Sequence, residues 1–587
     1  MSKCTKRKTI KSILFSTATA CILSASVQAQ QLEDREPEAA TGIESKDFAS
    51  TNEYMVVAAN PYAAWAGKQI IEAGGSAIDA AVAIQAMLTL VEPQSSGIGG
   101  GSFIMYWDNE GKKLHTFDGR ETAPGAASPS LFVKDREVMS WRDAVVGGRS
   151  VGVPGVLKAL DMAHKKFGKL EWEALFTDSI MQAKNGFVVS PRLEKLLSLN
   201  MHPGISAFPE SRNYFKPKGE FLKSGSLKKN PLLATTLETI AKEGAEAFYT
   251  GSLAEKIAER VRLSPINPGL LKASDLEKYE AIERSPMCNP YREFKICGMA
   301  PPSSGGVTMY SIIKALEKFD LSKYGANSEE FIHLFSQASA LAFADRSLYI
   351  ADLDFLDVSA VPLINPAYIR ERAESISLDK PFAVENAGKP YANLHVGQDN
   401  AYEKMSTSHI SIVDKQGNSV SMTSSIEFMF GSGLFVEGFL LNNQLTDFSL
   451  DPVNDNAPVL NRVQANKRPR SAMSPSMVFN KNNKLMLVVG SPGGSRIINY
   501  VAHTILNVLD FDMSIQEAIS LPRITNRNDV TTLEKGTNIE ALAKALEARG
   551  HTVKISDLNS GLHGILIKDG KYYGGADPRR EGVAVGL

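Results

Sequence analysis

The sequence predicts a layered α+β fold with sheet inside and helices outside. Three observations carry this. Helix-like stretches dominate the first two thirds of the chain, and short strand-like runs separated by turns dominate after residue 407. Between them Ala383–Met405 is polar, contains Pro, Gly and Asn, and has no period of its own, so it reads as a linker. At 587 residues the chain can hold two or three domains or one large interleaved one. Hydrophobic (43%) and charged (22%) fractions are those of a globular protein, and a formal net charge of −1 leaves no electrostatic footprint for nucleic acid.

The chain opens with an export signal. Lys3, Lys6, Arg7, Lys8 and Lys11 precede an apolar, Ala/Ser-rich stretch from Ile13 to Val27, and Val27-Gln28-Ala29 offers a small-x-small cleavage site. Residues 1–29 are therefore read as a signal peptide and 30–53 as a flexible lead-in, giving a soluble periplasmic or secreted protein. The alternative, an uncleaved anchor, fits less well because the stretch is short and serine-rich for a span of about 20 residues. Removal of the signal takes Cys4 and Cys21 and leaves Cys288 and Cys297. Asn289–Phe294 between them can turn a hairpin and bring them face to face, as a disulfide or as two buried thiols.

Order begins with the strand-like run Tyr54–Ala59. Helices are expected over Ala63–Ala73, stopped by Gly74-Gly75, and over Ala77–Leu90, capped by Ser76. The glycine run Gly97-Ile98-Gly99-Gly100-Gly101 superficially resembles a dinucleotide loop. Ser102 stands where the third glycine is needed, and the run follows a helix instead of a strand, so close backbone approach is the better reason for these glycines. Arg120 ends a strand-like run before a Pro-containing turn, where its planar fork can meet a carboxylate. Val156–Phe187, Leu232–Val261, Val307–Phe319 and Phe331–Tyr349 read as largely helical.

Beyond the linker, Ser408, Ile410 and Ile412 alternate with His409, Ser411 and Val413, as in a strand. Lys415-Gln416-Gly417-Asn418 supplies a turn, and Ser419–Ser425 returns. Thr407 stands at the mouth of this hairpin. Were the bond before it cut, one residue would carry a hydroxyl nucleophile and an α-amine of pKa about 7.7–8.0 to act as its base. Further short strands are expected at Phe439–Asn443, Met477–Phe479 and Leu485–Val489, then a helix at Arg496–Val508 and a hairpin over His563–Gly575.

Taken together, Gly97–Phe103, Asp118–Pro124, Ser150–Gly155, Pro301–Gly306, Ala344–Ser347, Thr407–His409, Leu441–Phe448, Asn466–Pro475 and Gly490–Ile497 resemble the γ-glutamyltransferase (γ-glutamyl transpeptidase, glutathione hydrolase) family, in its order and over the chain from about residue 54. The resemblance implies an αββα sandwich of the N-terminal-nucleophile hydrolase type. It also implies a precursor that cuts itself between Ser406 and Thr407 into a large subunit, 54–406, and a small one, 407–587, which form the fold jointly. Thr407 would be the nucleophile, Ser425 would hold its amine, and backbone N–H groups of Gly493 and Gly494 would form the oxyanion hole. Arg120 and Ser471 would hold the donor's α-carboxylate, and Glu427, Gln444 and Asp447 its α-ammonium. The partners implied are glutathione and other γ-glutamyl compounds as donors and water, amino acids or peptides as acceptors, with no cofactor, metal or nucleic acid.

Three positions depart from the common family pattern. Glu427 stands where asparagine is frequent, Ala472 replaces the second serine of the carboxylate clamp, with Arg470 beside it as a substitute, and Leu450–Ala465, where many bacterial members carry a lid, is short. Two other readings stand beside the leading one: a glutaryl-type β-lactam acylase on the same fold, and an uncleaved, inactive binding homologue. Asp447 speaks for a glutamyl over a glutaryl donor. No G-x-S-x-G or H-E-x-x-H motif occurs, and His409 is read as structural.

Overall fold

The computed structural model describes residues 43–46, 48–356, 358–392, 394–401 and 406–587. The segment expected to be a signal peptide, the expected lead-in as far as residue 42, and Lys404-Met405 lie outside them. In chain order the elements that build the centre are β1 (Ala49–Thr51), β2 (Met55–Ala58), α1 (Pro61–Glu72), α2 (Ala77–Val91), β3 (Gly101–Asp108), β4 (Lys113–Gly119), α3 (Val156–Phe167), β5 (Ile282–Arg284), β6 (Met287–Tyr291) and β7 (Phe294–Gly298). There follow α4 (Gly305–Leu316), α5 (Glu329–Tyr349), β8 (Ser406–Val413), β9 (Ser419–Glu427), β10 (Ser476–Phe479) and β11 (Leu485–Gly490). Last come α6 (Ile497–Leu509), β12 (His563–Lys568), β13 (Lys571–Ala576) and β14 (Val583–Gly586).

Two seven-stranded sheets result, ordered β14-β2-β8-β9-β3-β4-β5 and β1-β13-β12-β11-β10-β7-β6. Neighbouring strands run antiparallel throughout both. Each sheet takes strands from both sides of the linker, so neither half of the chain has a complete sheet of its own.

The alternation along β8 explains the layering. Ile410 and Ile412 join Val56, Ala58 and Ile104 in a core shared with α1, α2 and α3. Val413 joins Met55, Val57, Phe103 and Met105 in a second core shared with the other sheet and with α4, α5 and α6. Helix, sheet, sheet and helix are thus stacked in the αββα order, with both faces of β8 buried. Burying each such aliphatic side chain contributes about 1.5–3 kcal/mol. A one-residue slip of β8 would place His409 and Ser411 in the first apolar core, which fixes the register.

Local chemistry supports these elements. Ser76 and Asp79 form a capping box at the start of α2: the Ser76 hydroxyl accepts the Asp79 N–H at 3.2 Å, and the Asp79 carboxylate accepts the Ser76 N–H at 2.8 Å. The turn between β8 and β9 is organised by Asp414, whose carboxylate accepts the N–H groups of Gln416 and Asn418, both at 2.9 Å. Its other oxygen accepts the N–H of Ala77 at 3.1 Å, so the hairpin tip is pinned to the positive end of α2.

Differences from the sequence reading are local. The lead-in is not free up to residue 53, because Ala49–Thr51 pairs with Gly574, Tyr573 and Tyr572 as an edge strand. Thr407 lies inside β8 instead of just before it. The linker has no helix or strand among its described residues, yet it is tied down: Gly397 donates to the Pro458 carbonyl, Asp399 to that of Ser347, and the Tyr391 hydroxyl to that of Ser359. Cys288 and Cys297 face each other in the β6–β7 register and are joined as a disulfide.

Candidate active site

Thr407 is fully buried and sits at a β-bulge: Ser406 pairs with Glu427, whereas Thr407 pairs with Ser425, so one residue of β9 is passed over. The Thr407 hydroxyl donates to Ser425 Oγ at 3.1 Å, and the Ser425 hydroxyl donates to the Ser406 carbonyl oxygen at 2.8 Å. Ser425 Oγ also accepts the N–H of Glu427 at 2.9 Å. The result is a directed chain from the threonine hydroxyl to the carbonyl of the bond that precedes it. The glycine run makes room for this. A side chain at Gly100 would place its Cβ 2.1 Å from the Ser425 carbonyl oxygen, a distance that only glycine avoids.

His409 is not near enough in function to serve as a base. Its ring contacts the hydroxyls of Thr423 at 2.8 Å and Ser411 at 3.2 Å, and burial holds its pKa well below 6.5, as the neighbouring His563 also does to a lesser degree.

A second group lies at the start of the return path. Arg120 Nη2 donates to Asp447 Oδ2 at 2.5 Å and to the Arg470 carbonyl at 2.7 Å, and its Nε donates to the Pro469 carbonyl at 3.2 Å. Gln444 Nε2 donates to the same Asp447 oxygen at 2.8 Å. Asn443 Nδ2 donates to the Glu427 carboxylate. Arg120, Gln444 and Asp447 therefore form one hydrogen-bonded cluster, while Glu427 donates its N–H to Ser425 and accepts from Asn443. Burial raises the Glu427 carboxyl well above its ordinary value, and nearby Asp447 adds to the shift.

Ser471 and Ala472 follow the two carbonyls that Arg120 holds. Ser471 Oγ accepts the N–H of Met473 at 3.2 Å, and the Ala472 methyl is fully buried in the second core. Arg470, beside Ala472, is held from the other side. Its guanidinium is committed to Asp399 of the linker at 3.0 Å and to the Arg346 carbonyl at 3.3 Å, with both charged side chains buried.

Gly493 adopts φ 126° and caps the short helical turn Gly494–Arg496, so the N–H groups of both glycines precede any intrahelical acceptor. A Cβ at Gly493 would stand 2.8 Å from the Tyr500 ring and 3.8 Å from the Asn559 carbonyl oxygen. Arg580 bridges from that same carbonyl, at 3.3 Å, to the Thr407 carbonyl oxygen, also at 3.3 Å.

Sequence reasoning missed two participants. Arg580 follows the hairpin expected over His563–Gly575, and no motif in the sequence marks it. Glu121 is adjacent to Arg120, fully buried, and 3.6 Å from the Arg120 guanidinium. Burial pushes its carboxyl up to about 8 against the pull of that arginine. A Cβ on Gly101, the register partner of Ser425, would lie 2.4 Å from its carboxylate, so only glycine fits there. Among the described residues no cluster of His, Cys, Asp and Glu could hold a metal ion, and no helix is long and apolar enough to cross a membrane.

Comparison with known proteins agrees with this geometry. The family model Gamma-glutamyltranspeptidase matches residues 63–587. The glutathione hydrolase proenzyme of Escherichia coli is 34% identical over 574 residues, covering 96% of this chain and 97% of that protein. The glutathione hydrolase proenzyme of Bacillus subtilis is 37% identical over 547 residues, covering 91% of each. Among solved structures, a cephalosporin acylase from Bacillus halodurans superposes with a TM-score of 0.81 at 27% identity, over 92% of this chain and 97% of that one. The fold is that of the N-terminal-nucleophile hydrolases, and the chain belongs to the γ-glutamyltranspeptidase family.

Proposed function

We propose that this chain is an exported, self-cleaving γ-glutamyl hydrolase and transferase with Thr407 as its nucleophile. The observation that carries the reading is the hydroxyl chain Thr407–Ser425–Ser406 carbonyl. As Thr407 Oγ bonds to the Ser406 carbonyl carbon, its proton passes to Ser425 Oγ while the Ser425 proton passes to the developing oxyanion. Collapse passes that proton on to the amide nitrogen as the C–N bond breaks, re-forms the carbonyl, moves the Ser406 acyl group onto the threonine oxygen and leaves a free α-amine. Water then hydrolyses the ester, giving a large subunit ending at Ser406 and a small one beginning at Thr407.

In the mature enzyme the α-amine takes the Thr407 hydroxyl proton as Oγ attacks the γ-amide carbonyl of the donor. The N–H groups of Gly493 and Gly494 would take the oxyanion, a contribution of about 3 kcal/mol per donor. The amine leaving group accepts a proton and departs, leaving a γ-glutamyl ester on Thr407. Water, an amino acid or a peptide then attacks that ester. Glutathione and related γ-glutamyl compounds are the proposed donors.

Donor recognition follows from the Arg120–Asp447 pair. A glutamyl α-carbon carries a carboxylate and an ammonium side by side, so it can enter between the two, carboxylate to Arg120 with Ser471 and ammonium to Asp447 with Gln444 and Glu427. A glutaryl donor has no ammonium to offer the buried Asp447 carboxylate in exchange for Arg120, which favours the glutamyl reading over that of the acylase-named relative. Parallel assays with γ-glutamyl- and glutaryl-p-nitroanilide test this: kcat/KM should favour the γ-glutamyl donor by at least about a hundredfold. Equal rates would reverse the assignment.

A further inference from the structure

Beneath Thr407, on the face turned away from its hydroxyl, one turn of the large part of the chain grips the residues on both sides of Thr407. The turn is Glu92–Ser96, directly after α2. Ser406 Oγ donates to the Gln94 carbonyl at 2.7 Å and lies 3.2 Å from Ser95 Oγ. Ser408 Oγ donates to the Glu92 carboxylate at 3.1 Å and accepts the Ser96 hydroxyl at 3.0 Å. Ser406 and Ser408 share one face of β8 by the period of two, and Thr407 takes the other.

The same turn holds the partner strand. Ser95 accepts the N–H of Ile426 at 3.2 Å, and Gln94 accepts that of Phe430 at 3.0 Å, through their backbone carbonyls. Both strands that carry the hydroxyl chain are therefore referenced to one short segment, at the point where the bulge lets Ile426 slip past unpaired. Glu92 is itself 1% exposed and faces Arg192, 3.9 Å away and fully buried. This is a built arrangement, since a buried carboxylate that meets a serine hydroxyl and an arginine is oriented from two sides.

We propose that Glu92 is a positioning residue for Thr407: acting through Ser408, with the Gln94 carbonyl acting through Ser406, it sets the Thr407–Ser425 distance on which both self-cleavage and acyl transfer depend. The inference rests on Thr407 being the nucleophile. It extends that reading by giving a role to a carboxylate that touches neither substrate nor the reacting atoms. Before the cut the clamp holds both sides of the scissile bond in register. After it, the Ser408 contact remains to hold the new N-terminus of the small subunit against the large one, while the Ser406 contact keeps the new C-terminus on the same turn.

The test uses the full chain and follows cleavage by intact mass, then kcat and KM with γ-glutamyl-p-nitroanilide per cleaved site, for wild type, Glu92→Ala, Glu92→Gln, Ser408→Ala, Ser408→Thr and the Glu92→Ala/Ser408→Ala double variant, with Thr407→Ala as reference. Losing a hydrogen bond to a charged group should slow cleavage and lower kcat by about tenfold or more in Glu92→Ala and Ser408→Ala, with KM unchanged. Ser408→Thr, which keeps the hydroxyl, should recover most of the loss. The double variant should be no slower than the slower single one, because both act on one contact.

A purely structural Glu92 would lower the melting temperature and the folded yield, yet leave kcat per cleaved site at the wild-type value; that result overturns the proposal, as do additive effects in the double variant. Should Glu92→Ala fail to fold, Ser408→Ala, which leaves Glu92 facing Arg192, decides alone, and wild-type rates in it also overturn the proposal. A Thr407→Ala chain that still cuts at residue 407 would instead refute the nucleophile assignment beneath it.

Discussion

Arg120 and Asp447 are bound to each other, Nη2 to Oδ2 at 2.5 Å, and both side chains are shut off from solvent. Positions 327 residues apart thus close a buried ion pair whose two halves are proposed to receive the carboxylate and ammonium of a glutamyl α-carbon. Removing one partner of such a pair leaves an uncompensated charge and costs about 3–5 kcal/mol. Asp447→Asn is therefore expected to lower kcat/KM for γ-glutamyl-p-nitroanilide by a factor of about a hundred or more, chiefly through KM. Steady-state kinetics check this, and an unchanged KM would place the donor elsewhere.

Ser425 bridges the Thr407 hydroxyl and the Ser406 carbonyl oxygen, so in the proposed mechanism its hydroxyl should count most in self-cleavage. Ser425→Ala is expected to slow self-cleavage by a factor of about a hundred, the usual cost of one hydrogen-bond donor to a developing oxyanion. Ser425→Thr retains the hydroxyl and should cut at a rate close to wild type. A time course of fragment appearance distinguishes them.

The linker contributes through Asp399. Its carboxylate neutralises Arg470 and accepts from Asn461 Nδ2 at 2.8 Å, and that amide also holds the Asp447 carbonyl at 2.8 Å. Asp399→Asn removes a charge partner of Arg470 and should destabilise the chain by about 3 kcal/mol. Arg470→Leu combined with Asp399→Asn should recover part of this, since the buried guanidinium that needs that partner is gone. Denaturant unfolding of the three variants measures the coupling.

Stability should depend on pH in two opposite directions. The Glu121 carboxyl is pushed from its ordinary 4.5 up to about 8 by burial, so between these values the folded chain holds a proton that the unfolded chain has lost. Stability then falls as pH rises across that window and levels off above about 8. His202, His409, His503, His551 and His563 are all lowered by burial, His551 and His563 to about 3. The unfolded chain binds the extra protons below about 6.5, so acidification also lowers stability. The uncut Thr407→Ala chain should melt highest near pH 6.5, and Glu121→Gln should flatten the decline from about 6.5 to 8. Thermal melts across this range decide; a decline that persists unchanged in Glu121→Gln would assign it to another group.

Local structure was legible where one segment suffices. The alternation in β8, the cap at Ser76 and the turn after Asp414 are all written within a few residues, and each formed as read. The glycine run was rightly separated from a nucleotide loop, because its reason is the nearby Ser425 backbone. What the sequence could not reveal depends on distant pairings. Nothing local tells that Ala49–Thr51 will find β13, that the Glu121 carboxylate will be buried without a hydrogen-bond donor, or that Glu92 and Ser408 will meet across 316 positions. Arg470 shows the same limit from the other side. Its place beside Ala472 suggested a substitute for a hydroxyl, whereas the fold gives it to Asp399, a residue of the linker.

Every step above depends on Thr407 becoming an N-terminus, and intact mass under denaturing conditions tests that most directly. Wild type should give two fragments, the smaller beginning at Thr407, and Thr407→Ala should remain one chain. A wild-type chain that stays whole, or fragments that begin at another residue, would contradict the account.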